Sequence, residues 1–213
     1  QIARDISNLD FAAFWIHSYR QDQLALYPFF HSWLTAPFFL GGRPDLTAAR
    51  SSSVLFLCLS VLLSFFLASE LAPDENFRWL TGLVGAGMLL PALPLWAYAS
   101  LVYLEAAGLL TSLATIYCYV RARPDIPSSR WQIACSLLAA SALFTKYFYG
   151  LCVFGGIVLA ESVSALLARR LSIRRWRGLA GPFAVCALAW FLNPAKLAGL
   201  GIYAQSQHAN MDQ

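Results

Sequence analysis

The sequence predicts an all-α fold, a polytopic transmembrane helical bundle of about six crossings with juxtamembrane helices in its first outer loop. Three observations lead there. Hydrophobic residues make up 59% of the 213-residue chain and charged residues only 12%, about half the charged share of an ordinary soluble domain. Mean hydropathy is +0.58. The charges also fall in clusters, and they leave uncharged runs of the ~20 residues that a bilayer core demands.

The chain divides into three parts. Residues 1–50 read as an outer juxtamembrane loop with interfacial helices, 51–195 as the transmembrane helical domain, and 196–213 as an outer loop or frayed tail. Residues 1–27 are too polar to span. Leu9, Phe11, Phe14 and Trp15 would line one side of a helix lying along the interface, with Asn8 as its cap. Tyr27-Pro28 ends it, because proline turns the preceding residue away from helix. Residues 28–40 form an apolar run too short for a full crossing. The glycine- and proline-rich stretch 41–45 is a loop.

A first spanning run follows at 51–69, bracketed by Arg50 and Glu70. Residues 79–120 contain a single charge, Glu105, and are long enough for two crossings that turn near Pro91 and Pro94. Residues 131–168 are long enough for two more, broken near 146–150. The basic stretch 169–177 is the next loop, and 179–192 is a last apolar run. The start at Gln1 and the stop soon after an apolar run read as a piece of a longer protein that lacks at least a first membrane helix.

The net charge of +4 does not point to nucleic acid. The arginines concentrate in loops 121–130 and 169–177, and the positive-inside rule makes both cytoplasmic. Counting crossings from there puts residues 1–50, the turn at 91–98 and Lys146 on the outer face. The five cysteines all lie in apolar runs without a C-x-x-C pair, so they read as small buried hydrophobes.

Residues 8–40 are the only stretch mixing carboxylates, histidines, an arginine and dense aromatics. Asp10 is either a solvated capping carboxylate or a general base, or a carboxylate that orients an acceptor hydroxyl through a divalent metal. Asp5 and Asp22 are its rivals. Glu105 lies a turn or two inside an apolar run, so it must face protein, a partner or water. Lys146 either snorkels to the headgroups or contacts a phosphate. His31 either touches a phosphate or sits at the interface. Neither histidine of the stretch has a second ligand at metal spacing, so no metal ligand set is assigned. Glu161 should pair with an arginine of the nearby basic loop.

Several of these segments together resemble the GT-C membrane glycosyltransferases. Asp10-Phe-Ala-Ala-Phe-Trp15 is similar to their acidic first-loop segment, and Tyr27-Pro28-Phe-Phe-His31 to the motif leading into the next helix. Tyr103-Leu-Glu105 and Leu143-Phe-Thr-Lys-Tyr147 are similar to the pattern of glycosyltransferase family 39, the protein mannosyltransferase and aminoarabinose transferase group. Asp10-Phe11 with Phe14-Trp15, and Tyr27-Pro28, also resemble family 87, the polyprenol-phosphate-mannose-dependent mannosyltransferases. The chain departs from the pattern at Phe29, where a second proline is usual, and at Phe11, where a second acid is common.

The resemblance implies an inverting transferase in a bacterial inner (plasma) membrane, with its site on the outer face. It would move a sugar from a polyprenyl-phosphate donor to a glycan, lipid or protein hydroxyl. Asp10, or Asp5, would take the hydroxyl proton. Lys146, with Arg20, Arg43 and His31 behind it, would hold the departing phosphate, and Tyr27 and Glu105 would line the site. The partners implied are the lipid-linked donor, membrane lipid and the acceptor. A transporter or flippase fragment, or a membrane scaffold subunit, is the alternative the residues themselves leave open.

Overall fold

The computed structural model describes residues 30–39, 46–91, 105–122, 129–169 and 172–192. Among these residues every regular element is helical. A short helix α1 (Phe30–Thr35) runs into a 3-10 turn (Ala36–Phe39) at Pro37. Then come α2 (Leu46–Glu70), a 3-10 turn (Glu75–Phe77) and α3 (Arg78–Leu89). After them follow α4 (Glu105–Arg121), α5 (Ser129–Thr145), α6 (Tyr147–Ala168) and α7 (Ile173–Phe191). The protein is an all-α helical bundle.

Two helices are long and apolar enough to cross a membrane, Ala49–Glu70 within α2 and Tyr147–Ala168, which is α6. The core of a soluble protein would hide such helices. Here only 28% and 11% of their most apolar windows are buried inside the protein. The large apolar side chains point outward, with Leu167 80% exposed. The interior is built instead from small residues. Ala107, Thr111 and Thr115, one turn apart, are buried on α4, and Ser136, Ala139, Ala140 and Leu143 on α5. Small residues let helices approach closely where the surrounding medium is itself apolar.

Several buried hydroxyls are satisfied locally. Thr111 Oγ1 donates to Ala107 O at 2.9 Å and Thr115 Oγ1 to Thr111 O at 2.7 Å. Ser136 does more. Pro182 sits inside α7, and the Phe183 amide just beyond it donates across the helix interface to Ser136 Oγ at 2.8 Å. A neighbouring serine thus serves the backbone where the proline disturbs the ladder. Phe183 is further fixed by stacking on Phe154, with ring centroids 3.8 Å apart.

Side-chain bonds fix the directions of the helices. Glu70 at the end of α2 bonds Arg121 Nη1 at the end of α4 at 2.7 Å, so those two run parallel. Ser64 Oγ donates to Gly85 O at 3.0 Å across the antiparallel α2–α3 pair. Cys135 and Ile157 share one cluster with Cys118 and Leu179, which makes α5 and α6 an antiparallel hairpin. Trp190 Nε1 donates to Tyr147 Oη at 3.1 Å, returning the end of α7 to the start of α6. The bundle therefore alternates direction from α2 to α7. Among the described residues, Arg78, Arg121, Arg130, Arg169, Arg174, Arg175 and Arg177 gather at one end, Arg50 and Lys146 at the other.

One boundary differs from the sequence reading. The stretch 169–177 is not loop throughout, because Ser172 caps a helix that begins at Ile173, its Oγ accepting the Arg175 amide. Glu105 lies in the first turn of α4, where a carboxylate complements the helix dipole.

The α5–α6 turn is a single extended residue, Lys146, with φ −157° and ψ 124°. So tight a hairpin needs close contact at once, and Gly150 supplies it. A Cβ there would run into the backbone N and Cα of Leu143. Backbone cannot swing aside as a side chain can. Gly150→Ala should therefore destabilise the protein by about 1–3 kcal/mol or more. A thermal melt in detergent checks this, and an unchanged midpoint would mean that the hairpin is not closed as described.

Candidate functional site

At the arginine-poor end, three residues from distant parts of the chain converge: His31 of α1, Glu105 of α4 and Lys146 of the α5–α6 turn. The scaffold explains the convergence. Leu34 and Phe38 pack on the cluster of Phe56, Ala106 and Ala107, laying α1 and its 3-10 turn across the ends of α2 and α4. Phe38 meets Phe56 edge to face at 6.2 Å. Thr35 Oγ1 donates to His31 O at 3.1 Å and ties the last turn of α1. Tyr149, one turn into α6, lies against Gly108 of α4, where a Cβ would collide with its ring. That close approach brings Lys146 over the start of α4.

Lys146 Nζ bonds Glu105 Oε1 at 2.9 Å, and the two side chains are 32% and 22% exposed. The pair is neither a solvated surface bridge nor a sealed one. Burial lowers the His31 pKa from 6.5 to about 4, against the pull of the Glu105 carboxylate. His31 is therefore neutral near pH 7. Among the described residues, two buried polar atoms of the cluster, His31 Nδ1 and Glu105 Oε2, have no hydrogen-bond partner. Each such atom costs about 1–3 kcal/mol, so their retention side by side marks a place suited to a polar guest. A neutral imidazole, an oriented carboxylate and an ammonium together can receive a hydroxyl and an anionic oxygen.

The depressed His31 value has a testable sign. Below pH 6.5 the unfolded chain binds a proton that the buried imidazole refuses until about pH 4. Stability is therefore lost as pH falls through that window. Glu105, bonded to Lys146, is the charge that acts on His31. His31→Gln should reduce the drop in melting temperature between pH 6.5 and 4. The same drop in the variant would place its origin elsewhere.

Of the sequence-derived site residues, Lys146, Glu105 and His31 are brought together. Asp10, Asp5, Arg20, Tyr27 and Arg43 lie outside the described residues, as does Asp22. Among the described residues no group of three His, Cys, Asp or Glu side chains is placed to hold a metal ion. His31 and Glu105 offer two donors of suitable type, but Lys146 occupies Glu105 with a positive charge. A divalent metal does not fit this cluster as it stands.

Two features escaped the sequence reading. The Lys146–Glu105 pair was legible in principle, since lone opposite charges in apolar runs need partners. The Tyr147–Trp190 bond beside it carries no sequence signal. At the opposite end Glu161 does pair with an arginine. Arg175 grips it with two bonds, of 2.8 and 2.7 Å, and donates its remaining Nη1 to Ala122 O. No protein family, curated protein or solved structure matches the chain.

Proposed function

We propose that the protein is a multi-pass membrane glycosyltransferase of the GT-C kind. It takes a sugar from a polyprenyl phosphate at the outer leaflet and passes it to a hydroxyl of a lipid, glycan or protein. The observation that carries the reading is the convergence of His31, Glu105 and Lys146 at the arginine-poor end of the bundle. The arginine-rich end then faces the cytoplasm; α2 and α4 to α7 have the length of a crossing, while α3, with 12 residues, reaches only part-way. The family likeness of residues 10–15, 27–31, 103–105 and 143–147 supports the assignment of the chemistry.

In this reading Asp10 draws the proton from the acceptor hydroxyl. The alkoxide oxygen forms a bond to the anomeric carbon, and the bond from that carbon to the phosphate oxygen breaks with inversion. The electron pair leaves with the polyprenyl phosphate. Charge grows on that oxygen as it departs, so a fixed cation stabilises the transition state more than the ground state. Lys146 is that cation. Glu105 holds the ammonium in place, and His31 offers a neutral partner for a sugar or acceptor hydroxyl. Any metal would belong with Asp10.

The test is transfer from radiolabelled polyprenyl-phosphate sugars by membranes containing the protein, with and without chelator. A panel of hexoses, pentoses and aminosugars covers the donor. Transfer of one of them supports the reading, and the chelator lane decides the metal. No transfer across the panel by folded protein would leave the transporter or scaffold alternative.

A further inference from the structure

Glu105 divides its carboxylate between two tasks. Oε1 accepts Lys146 Nζ at 2.9 Å. Oε2 is buried and, among the described residues, has no hydrogen-bond partner. From this division we infer that the cluster selects a donor sugar with a free hydroxyl at C2, received by Glu105 Oε2, and sets the C3 hydroxyl on His31 Nδ1. The inference rests on the transferase reading and names the class of sugar that this site accepts.

The chemistry of the two atoms decides the guest. A carboxylate oxygen only accepts, so whatever meets Oε2 must bring a hydrogen. An anionic oxygen is turned away there by like charge. His31 Nδ1 is likewise buried without a partner, and the Glu105 charge is near enough to act on its ring. The neutral imidazole donates from one nitrogen and accepts at the other. A hydroxyl both donates and accepts, so it satisfies Nδ1 in either tautomer. An ammonium only donates, and it would bring a second cation beside Lys146. Two neighbouring hydroxyls answer both atoms and add no charge to a pair whose side chains are 22% and 32% exposed.

The register on the sugar follows from the lysine. In the transferase reading Lys146 meets the phosphate oxygen bonded to the anomeric carbon. Both Glu105 oxygens belong to one carboxylate, so a hydroxyl on Oε2 lies close to the phosphate on Nζ. In a glycosyl phosphate that hydroxyl is the one on the adjacent carbon, C2, and the next round the ring is on C3. The contact also serves the displacement. As positive charge grows at the anomeric carbon the C2 hydroxyl becomes a better donor, and its bond to the carboxylate strengthens in the transition state.

The test compares the donor that the panel identifies with its 2-deoxy and 4-deoxy analogues, in membranes holding the wild-type protein. The 2-deoxy donor should lose about 10²-fold in kcat/KM, because it leaves a buried carboxylate oxygen unpaired. The 4-deoxy donor should stay close to the parent. Glu105→Gln retains an oxygen for Lys146 and puts an amide N–H where Oε2 was, so the C2 hydroxyl must accept there. Discrimination against the 2-deoxy donor should shrink by about tenfold. A purely structural defect would slow both donors and leave their ratio unchanged, and that result would overturn the inference. A 2-deoxy donor used as well as the parent, or a preferred donor with no hydroxyl at C2, would overturn it too and leave the transferase reading standing. No transfer from any donor would count against the transferase reading and remove the inference with it.

Discussion

Asp10→Asn should abolish sugar transfer, and Lys146→Met should slow it by about 10²–10³-fold. Both proteins should still insert in the membrane. In the proposed transferase mechanism the two variants remove different halves of one displacement. Without a base, the acceptor hydroxyl must lose its proton unaided, and a positioned base contributes about 10²–10⁴-fold. Without the ammonium, the leaving phosphate gathers charge in a half-buried place with no fixed cation opposite. Lys146→Arg retains the charge and should recover part of the rate. Full recovery is not expected, because a guanidinium is a planar fork and not a point charge.

Removing Lys146 also strips Glu105 of its 2.9 Å partner. The Lys146→Met/Glu105→Gln double variant separates the two effects. If lost stability were the cause, the double variant would regain transfer along with its melting temperature. If the cation does the chemistry, it regains stability alone. Transfer near the wild-type rate in Lys146→Met would remove the lysine from the mechanism, and the same result in Asp10→Asn would remove the aspartate.

The largest effect on stability is expected at the other end of the bundle. Glu161→Leu should destabilise the fold by about 3–5 kcal/mol, since it leaves a buried charge without its partner. The geometry argues for the upper part of that range. Two bonds of 2.8 and 2.7 Å join the pair, and the Arg175 side chain is 13% exposed.

Arg175→Met should be milder. A carboxylate left alone can take up a proton and become neutral, whereas a guanidinium cannot give one up. The gap between the two variants should therefore widen as pH falls. The Glu161→Leu/Arg175→Met double variant should return much of the loss, because well-packed apolar groups can replace a buried pair. Denaturation in detergent at several pH values measures all of this. Equal costs for both single variants at every pH would mean that water reaches the pair freely.

Much of the architecture was legible because hydropathy and helix breaks are local properties. The uncharged runs placed α2, α5 and α6 within a few residues, and Pro28 with the glycine-rich loop at 41–45 announced a short element before them. The reading went astray at the basic stretch after Ala168. There a capping serine starts a helix in spite of three arginines in its opening turns. Charge density suggested loop, but a single side-chain oxygen and the anchoring of Arg175 on Glu161 outweighed it.

The candidate site was legible only as separate residues. Each of Glu105 and Lys146 stood out as a lone charge in an apolar run, and His31 stood out by the company of aromatics. Nothing in the order of residues says that they meet. Their meeting depends on the one-residue turn at Lys146, on Gly150 letting α5 and α6 close, and on Gly108 giving Tyr149 room against α4. The sequence by itself determined that the chain is helical and apolar, where its helices break, and which charges must find company. Only the tertiary structure decided which charges pair, because partners 41 residues apart are chosen by helix direction and close packing, neither of which leaves a local trace.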